Sequence, residues 1–301
     1  ILKDTVAYAH SRGLRVGGHI PAGLRAHEAL DAGYDEIQHI NQVMLNFLAT
    51  PQTETRTLER FILPSEKVAG LDFNSPVVKK FVATLKSKQI VVDPTLATFA
   101  FLKQRDGDIN EPFAAIADHM PPDVKRGFHV GTMKIADDAT LKRYEKSYAK
   151  MVDFVGMLYR AGVPIVAGTD EMAGFTLQAE LEMLVKAGLT PAQAIQVATR
   201  NGAKYTRTSH ERGSITPGKL ADLVLVDGDP TKNIGDIRKV AAVITRGHVI
   251  YPQEIDKALG IAPFVKEAPA VRALPAVSSN IAHGGNEGAL QQMTGTARHR
   301  H

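Results

Sequence analysis

Cysteine is absent from all 301 residues, which excludes disulfides, thiolate metal sites and a cysteine nucleophile together. Long apolar runs are absent as well. No stretch approaches the roughly 18 uninterrupted apolar residues that mark a membrane-spanning helix, so no membrane partner is expected. Charge of one sign is scarce: 36 Lys and Arg stand against 32 Asp and Glu, a net +4. Half of that excess lies in residues 265–301, where Lys266, Arg272, Arg298 and Arg300 outnumber Glu267 and Glu287. A nucleic-acid binder would cluster Lys and Arg on one face, so no such partner is expected and a small-molecule substrate is. No G-x-G-x-x-G or complete G-x-x-x-x-G-K-S/T phosphate loop occurs, which argues against a nucleotide-binding α/β domain.

The composition that remains is ordinary for a globular chain, 44% hydrophobic and 23% charged. The chain opens Ile-Leu-Lys-Asp, with neither an initiator Met nor the regions of a signal peptide, and reads as a processed N-terminus or a fragment. The compartment is left open, as is a homo-oligomeric state.

Period and punctuation show a repeating helix-then-strand unit. Residues 2–12 read as a helix ended by Gly13, followed by a strand over Leu14–His19. Residues 24–32 and the segment Tyr34–Ile40 repeat the pattern, and Pro76–Lys88 with Gln89–Thr95 is a third copy. The fourth pairs a helix over about 138–161 with the apolar strand Val163–Asp170. Helices over 175–187 and Pro191–Asn201 follow, then short strands over Ala221–Asp227, Val240–Arg246 and Gly247–Tyr251. Beyond about residue 264 the chain is Ala, Pro, Ser, Gly and Asn with little period, and disorder is expected there.

His19, His39, Asp93 and Asp170 each stand at or just after the C-terminal end of a predicted strand, the place where a β/α barrel keeps its chemistry. His19 and His39 come from consecutive strands, so both imidazoles are within reach of one divalent ion, and Asp170 projects into the same mouth. Each residue alone reads as readily as a loop cap; the three together favour a metal site. Zinc is the first expectation among divalent metals, ahead of manganese, iron or nickel. Asp93-Pro94-Thr95 is expected to line the pocket or simply to fix a strand exit. Gln38 or Asn41 would orient a ligand, and Met44–Leu48 and Phe99-Ala100-Phe101 are apolar walls or core. His10, His27, His119, His129, His210 and His248 read as surface or capping residues.

The segments Val16-Gly17-Gly18-His19-Ile20-Pro21-Ala22-Gly23, Asp35-Glu36-Ile37-Gln38-His39-Ile40-Asn41, Ala167-Gly168-Thr169-Asp170 and Gly213-Ser214-Ile215 through Gly218-Lys219-Leu220-Ala221-Asp222 resemble the amidohydrolase superfamily, in its imidazolonepropionase-like and prolidase-like branch. The resemblance implies a metal-dependent hydrolase of carbon–nitrogen bonds, with one or two divalent ions, zinc first, per intact protein. In it His19 matches the metal-binding His after strand five, His39 the one after strand six, and Asp170 the acid after strand eight, as ligand and proton shuttle. The family's His-x-His after strand one and its bridging Lys or Glu after strand four have no counterpart here. His299-Arg300-His301 has the first spacing but lies in the expected disordered end.

The fold expected is therefore α/β: the C-terminal half of a TIM-type (β/α)8 barrel, strands five to eight, over 1–205, part of a small β-sandwich over 206–263, and a disordered tail over 264–301. The function expected is hydrolysis of an amide, cyclic amide or dipeptide-like substrate by a metal-activated water. The alternative is a catalytically incomplete barrel remnant that acts as a binding or assembly module.

Overall fold

A computed structural model describes residues 1–269. Its centre is strand β2, Val91–Asp93, paired in parallel with β1, Glu36–Gln38, in the register Glu36 with Val91, Ile37 with Val92 and Gln38 with Asp93. Such pairing requires a long crossover, and here it is made of the helices Ile40–Leu48, Glu59–Lys67 and Pro76–Ser87. On the far side of β2, Val92 N–H donates to Pro164 O (2.9 Å) and Val166 N–H to Val92 O (3.2 Å). On the far side of β1, Asp35 N–H donates to Val16 O (2.7 Å) and Gln38 N–H to Gly18 O (3.2 Å). Both sets of bonds climb their two segments in the same direction. Four parallel segments thus form an arc, in the chain order anticipated.

All four of these predicted strands are shorter than expected, three of them for evident local reasons. Leu14–His19 contains no regular strand: Val16 N–H donates to the Asp35 carboxylate at 2.7 Å rather than to a further neighbour, and Gly18 turns the chain at φ 125°. Val163–Asp170 keeps a single parallel bridge, Val92 with Ile165. Pro164 has no N–H to offer, and Ile165 O accepts from Asn201 Nδ2 at 3.0 Å, a side chain where a next strand would sit. The segment Tyr34–Ile40 also ends early, because Ile40 already begins a helix.

The helices follow their sequence signals closely. Asp138–Ala161 starts where the Asp137 side chain accepts from Thr140 N–H at 2.7 Å and stops at Gly162, whose φ of 85° suits a residue without a Cβ. Thr176–Lys186 and Pro191–Gln196 are found, the latter with a Thr190–Gln193 capping box, and a π turn over Val197–Asn201 precedes Gly202–Tyr205. The long helix presents Tyr144, Tyr148, Met151, Phe154, Val155 and Leu158 to the interior, the 3.6-residue stripe of a core-facing helix. Phe154 receives the edges of Phe47 and Phe73, centroids 6.1 and 4.8 Å away. Ile37, Val92 and Ile165 fill the same core from three of the parallel segments. A smaller cluster gathers Phe113, Ile116, Met120 and Phe128, with Phe175 and Phe264 packed on it.

The period changes after residue 220. Strands β3 (Leu223–Val226), β4 (Val240–Thr245) and β5 (His248–Ile250) form an antiparallel sheet in the order β3-β4-β5, followed by the helix Pro252–Ala258. Val224, Leu225 and Val249 are exposed on it. The expected tail lies outside the described residues from 270 onward, as does His299-Arg300-His301. Phe264, which begins it, stacks on His119 at 3.7 Å between ring centroids. Among the described residues no helix is long and apolar enough to cross a membrane.

Phe154 is fully buried at the point where helix and arc meet. Phe154→Ala should cost about 3–5 kcal/mol, seen as a lower urea midpoint with an unchanged m-value; a loss under about 1 kcal/mol would contradict this packing.

Candidate metal centre

Three strand ends deliver the site, and each does so through a non-glycine residue in the left-handed region: His39 (φ 69°) after β1, Thr95 (φ 46°) after β2, and Asp170 (φ 47°) after the Ile165 bridge. Such conformations are uncommon outside glycine and turn the chain sharply at each strand end. His39 N–H donates to Asp93 O at 2.7 Å and Ile40 N–H to Pro94 O at 3.0 Å, so the β1–β2 ladder carries on to the site itself. His19 arrives from the outer segment. One nitrogen each of His19 and His39 and one oxygen of Asp170 lie within 4.8 Å of one another. His39 Nε2 is 2.7 Å from His19 Nε2 and 3.5 Å from Asp170 Oδ2. His39 is buried, whereas the Asp170 side chain is 58% exposed, so the cluster opens toward solvent on the aspartate side.

Thr95 decides how His39 is protonated. Its hydroxyl donates to Pro94 O at 2.9 Å, which leaves the oxygen free to accept from His39 Nδ1 at 2.6 Å. With the proton on Nδ1, the lone pair of Nε2 faces His19 and Asp170. The neutral form is also favoured by environment: burial, the neighbouring His19 and Arg60 bring the His39 pKa down to about 4, although the Asp170 charge opposes them.

A layer of buried acid lies beneath. Asp93 is raised to about 7 by burial and by the charges of Glu36 and Asp170, against backbone N–H donors from Thr95 and Gly168. Gly168 is small by necessity, since a Cβ there would overlap the Asp93 carboxylate. Glu36 is raised by its burial. Glu180, on the helix Thr176–Lys186, is fully buried and raised to about 8 by burial, while it accepts from Ala97 N–H at 2.7 Å.

His19, His39 and Asp170 are thus brought together as the sequence led us to expect, and the half-buried Asp93 carboxyl is near enough to feel the Asp170 charge. Neither proposed orienting residue reaches His39: Gln38 Nε2 donates to Glu36 Oε1 at 3.4 Å and Asn41 Nδ2 to Arg60 O at 3.3 Å. The orienting partner is Thr95, one residue past the proline that drew attention to that strand exit. Of the apolar stretches, Phe99 walls the site, its ring 5.2 Å from that of His39, while Met44 and Leu45 belong to the core. Glu180 is the residue sequence reasoning missed most completely, because an acid inside an amphipathic helix reads as its solvated face. The histidines given bland roles have them: His10 pairs with Asp35, His27 with Asn46, and His119 and His129 bond backbone carbonyls. Gly213–Lys219, the turn of the fourth motif, is held by Lys219 Nζ bonded to Ser209 O at 2.6 Å and to Ser214 Oγ at 2.8 Å.

The model of the Amidohydrolase family matches residues 114–250, which include Asp170 and all of β3 and β4. This match supports the amidohydrolase superfamily. It is 45% identical over 62 residues to adenine deaminase 1 of Desulfotalea psychrophila, 21% of this chain and 10% of that protein. It is 26% identical over 200 residues to the imidazolonepropionase of Geobacillus sp. (strain WCH70), 59% of this chain and 45% of that protein. Among solved structures, a bottromycin amidohydrolase aligns over 88% of this chain and 58% of its own, with a TM-score of 0.59 and 20% identity, a likeness of fold. The chain therefore spans less than half of the curated relatives it matches.

The donor set is apt for a divalent ion. Two imidazole nitrogens and a carboxylate oxygen converge, the buried imidazole is held neutral, and its Nδ1–H is engaged by an outer hydrogen bond, as metal-ligating histidines require. Among the described residues no His-x-His pair accompanies them.

Because His39 titrates at about 4 when folded and at 6.5 ordinarily, the unfolded chain binds more protons between those values. Stability from keeping this ring neutral is present above about pH 6.5 and is lost as pH falls toward 4. In the metal-free protein the His39 ring resonances should not titrate between pH 8 and about 5 by NMR; a midpoint near 6.5 would contradict the assignment.

Proposed function

We propose that this chain supplies metal ligands to a hydrolase of carbon–nitrogen bonds, with His19, His39 and Asp170 as those ligands and an amide, cyclic amide or dipeptide-like molecule as substrate. The observation that carries the reading is the convergence of the three donor atoms within 4.8 Å at the ends of parallel segments. The relatives add to it, since deamination of adenine and opening of an imidazolone both cleave carbon–nitrogen bonds. On the same reading the arc corresponds to strands five to eight of an eight-stranded barrel within 1–205, and the antiparallel sheet to part of a small β-sandwich within 206–263.

A divalent ion, zinc by ligand type, would activate water and polarise the scissile carbonyl. The chain's own residues do the rest. Thr95 holds the His39 ring with its Nε2 lone pair outward, and Phe99 shields that ring from water on one side. Asp170, exposed and 3.5 Å from His39 Nε2, takes a proton from the attacking water and returns it to the leaving nitrogen. Thr98 Oγ1 donates to Thr169 O and so steadies the turn that presents Asp170.

The rival reading, a binding or assembly module without catalysis, is favoured by the lack of a His-x-His pair among the described residues. Metal analysis after zinc loading and gel filtration separates them at the first step. The wild-type chain should retain near-stoichiometric zinc, His39→Ala should lose it, and Thr95→Val should weaken binding about 10–100-fold. A folded chain that holds no metal, or holds it equally well as His39→Ala, would overturn the metal-centre reading. Retained metal with no release of amine or ammonia from any member of an amide panel would support the module instead.

A further inference from the structure

A cavity of about 330 Å³ lies among the described residues, apart from the metal ligands. Its wall includes the loop Ala173–Phe175, which begins three residues after Asp170, but none of His19, His39 or Asp170. The volume falls at the lower end of the range for small-molecule sites. Most of the lining is apolar, with Phe175, Val243, Ile255, Leu259 and Phe264 contributing. Ile255 and Leu259 leave 51% and 62% of their surface to solvent, so they form its rim.

Two charged residues stand in that lining, Arg238 and Asp256, and they differ in how much of their charge is free. Arg238 grips Glu182 through Nε (2.7 Å) and Nη2 (2.8 Å), and its remaining nitrogen, Nη1, is sealed from solvent. It has nothing to offer a ligand. The amide of Gln253 and the Oε1 of Gln178 are sealed in the same way. Asp256, in the helix Pro252–Ala258, is only half-buried, and among the described residues its carboxylate has neither an ion pair nor a hydrogen bond. Burial raises its pKa above the usual carboxylate range, which the neighbouring His119 opposes. His119 itself is engaged elsewhere: its Nδ1 donates to Ala262 O at 2.6 Å and its ring stacks on Phe264. Among the described residues, Asp256 is thus the one reachable charge of an apolar cavity.

The chemistry of the ligand follows from that inventory. A partly desolvated carboxylate without a partner is stabilised by a cation that also donates hydrogen bonds. An anionic ligand would be repelled by Asp256, and the arginine charge that could hold it is already matched by Glu182. A hydrocarbon would fill the apolar volume but strip water from the carboxylate without replacing its hydrogen bonds, at a cost in desolvation. A protonated amine supplies both the charge and the N–H donors. The rings of Phe175 and Phe264 suit an apolar body beside it, since aromatic faces also attract cations. We propose that this cavity is a binding site for a protonated primary amine carried on an apolar body, with Asp256 as its counter-ion, separate from the metal centre.

The test uses 3-phenylpropylamine as probe, titrated into the purified chain at neutral pH and followed by ligand-observed NMR, beside 3-phenylpropan-1-ol and 3-phenylpropanoate. Saturable binding of the amine, at least about fivefold tighter than either comparison compound, is expected of a partly buried ion pair. Asp256→Asn should remove that preference while the alcohol binds as before, a pattern that general loss of structure would not give. The amine should bind unchanged in folded His39→Ala, which separates this site from the metal centre. If Asp256→Asn does not fold, Val243→Phe, which narrows the cavity, should abolish amine binding instead. No saturable binding of the amine to wild type, a preference below about fivefold, a preference kept in Asp256→Asn, amine binding kept in Val243→Phe, or its loss in folded His39→Ala would each overturn the proposal.

Discussion

The register of β2 is the constraint on which the site depends. Val92 is wholly buried and its backbone bonds to Pro164 and Val166, while Val91 and Asp93 beside it bond to Asp35 and His39, so β2 fixes where its neighbours begin and end. Side chains in a strand alternate faces, and a slip of one residue would send Asp93 outward and move His39 away from Thr95. With the register Gln38 opposite Asp93, the next residues on each strand fall at one level, and His39 Nδ1 meets Thr95 Oγ1 at 2.6 Å. Asp170 joins them because the ladder of the outer segment to β2 ends at Val166, after which the chain turns, with Thr169 O held by Thr98 Oγ1.

Arrangement of this kind is costly, and the costs gather in one place. Three non-glycine residues with positive φ, each worth about 1–3 kcal/mol of strain, stand at the ends of successive segments. Near them Glu36, Asp93 and Glu180 are all pushed up by burial, Asp93 to about 7 and Glu180 to about 8. Ordinary core residues would pack there with less penalty. The core that offsets these costs lies behind the arc, where Phe154, Met151 and Leu158 of the long helix meet Ile37 and Val92. Strain and buried charge at strand ends, with regular packing behind, is what a site built on a rigid scaffold looks like.

Much of this was legible in the sequence. The helix Asp138–Ala161 carried its terminating glycine, and its apolar stripe has the right period, so the expected limits of about 138–161 match the structure. His19, His39 and Asp170 were legible because each stood after an apolar run at the same end of a repeating unit. What was not legible depends on neighbours remote in the chain. Leu14–His19 has strand composition, but Val16 N–H is taken by a carboxylate 19 residues away. Thr95 looked like the tail of a proline turn, and only its position across from His39 gives it a role. Glu180 reads as surface until the packing of its helix on Ala97 is known.

The most direct test of the account is X-ray absorption at the zinc edge of the zinc-loaded chain. Two imidazole nitrogens and carboxylate or water oxygens, all at about 2.0–2.2 Å, are predicted. A shell with no imidazole, or with three or more, would contradict a metal centre built from His19, His39 and Asp170.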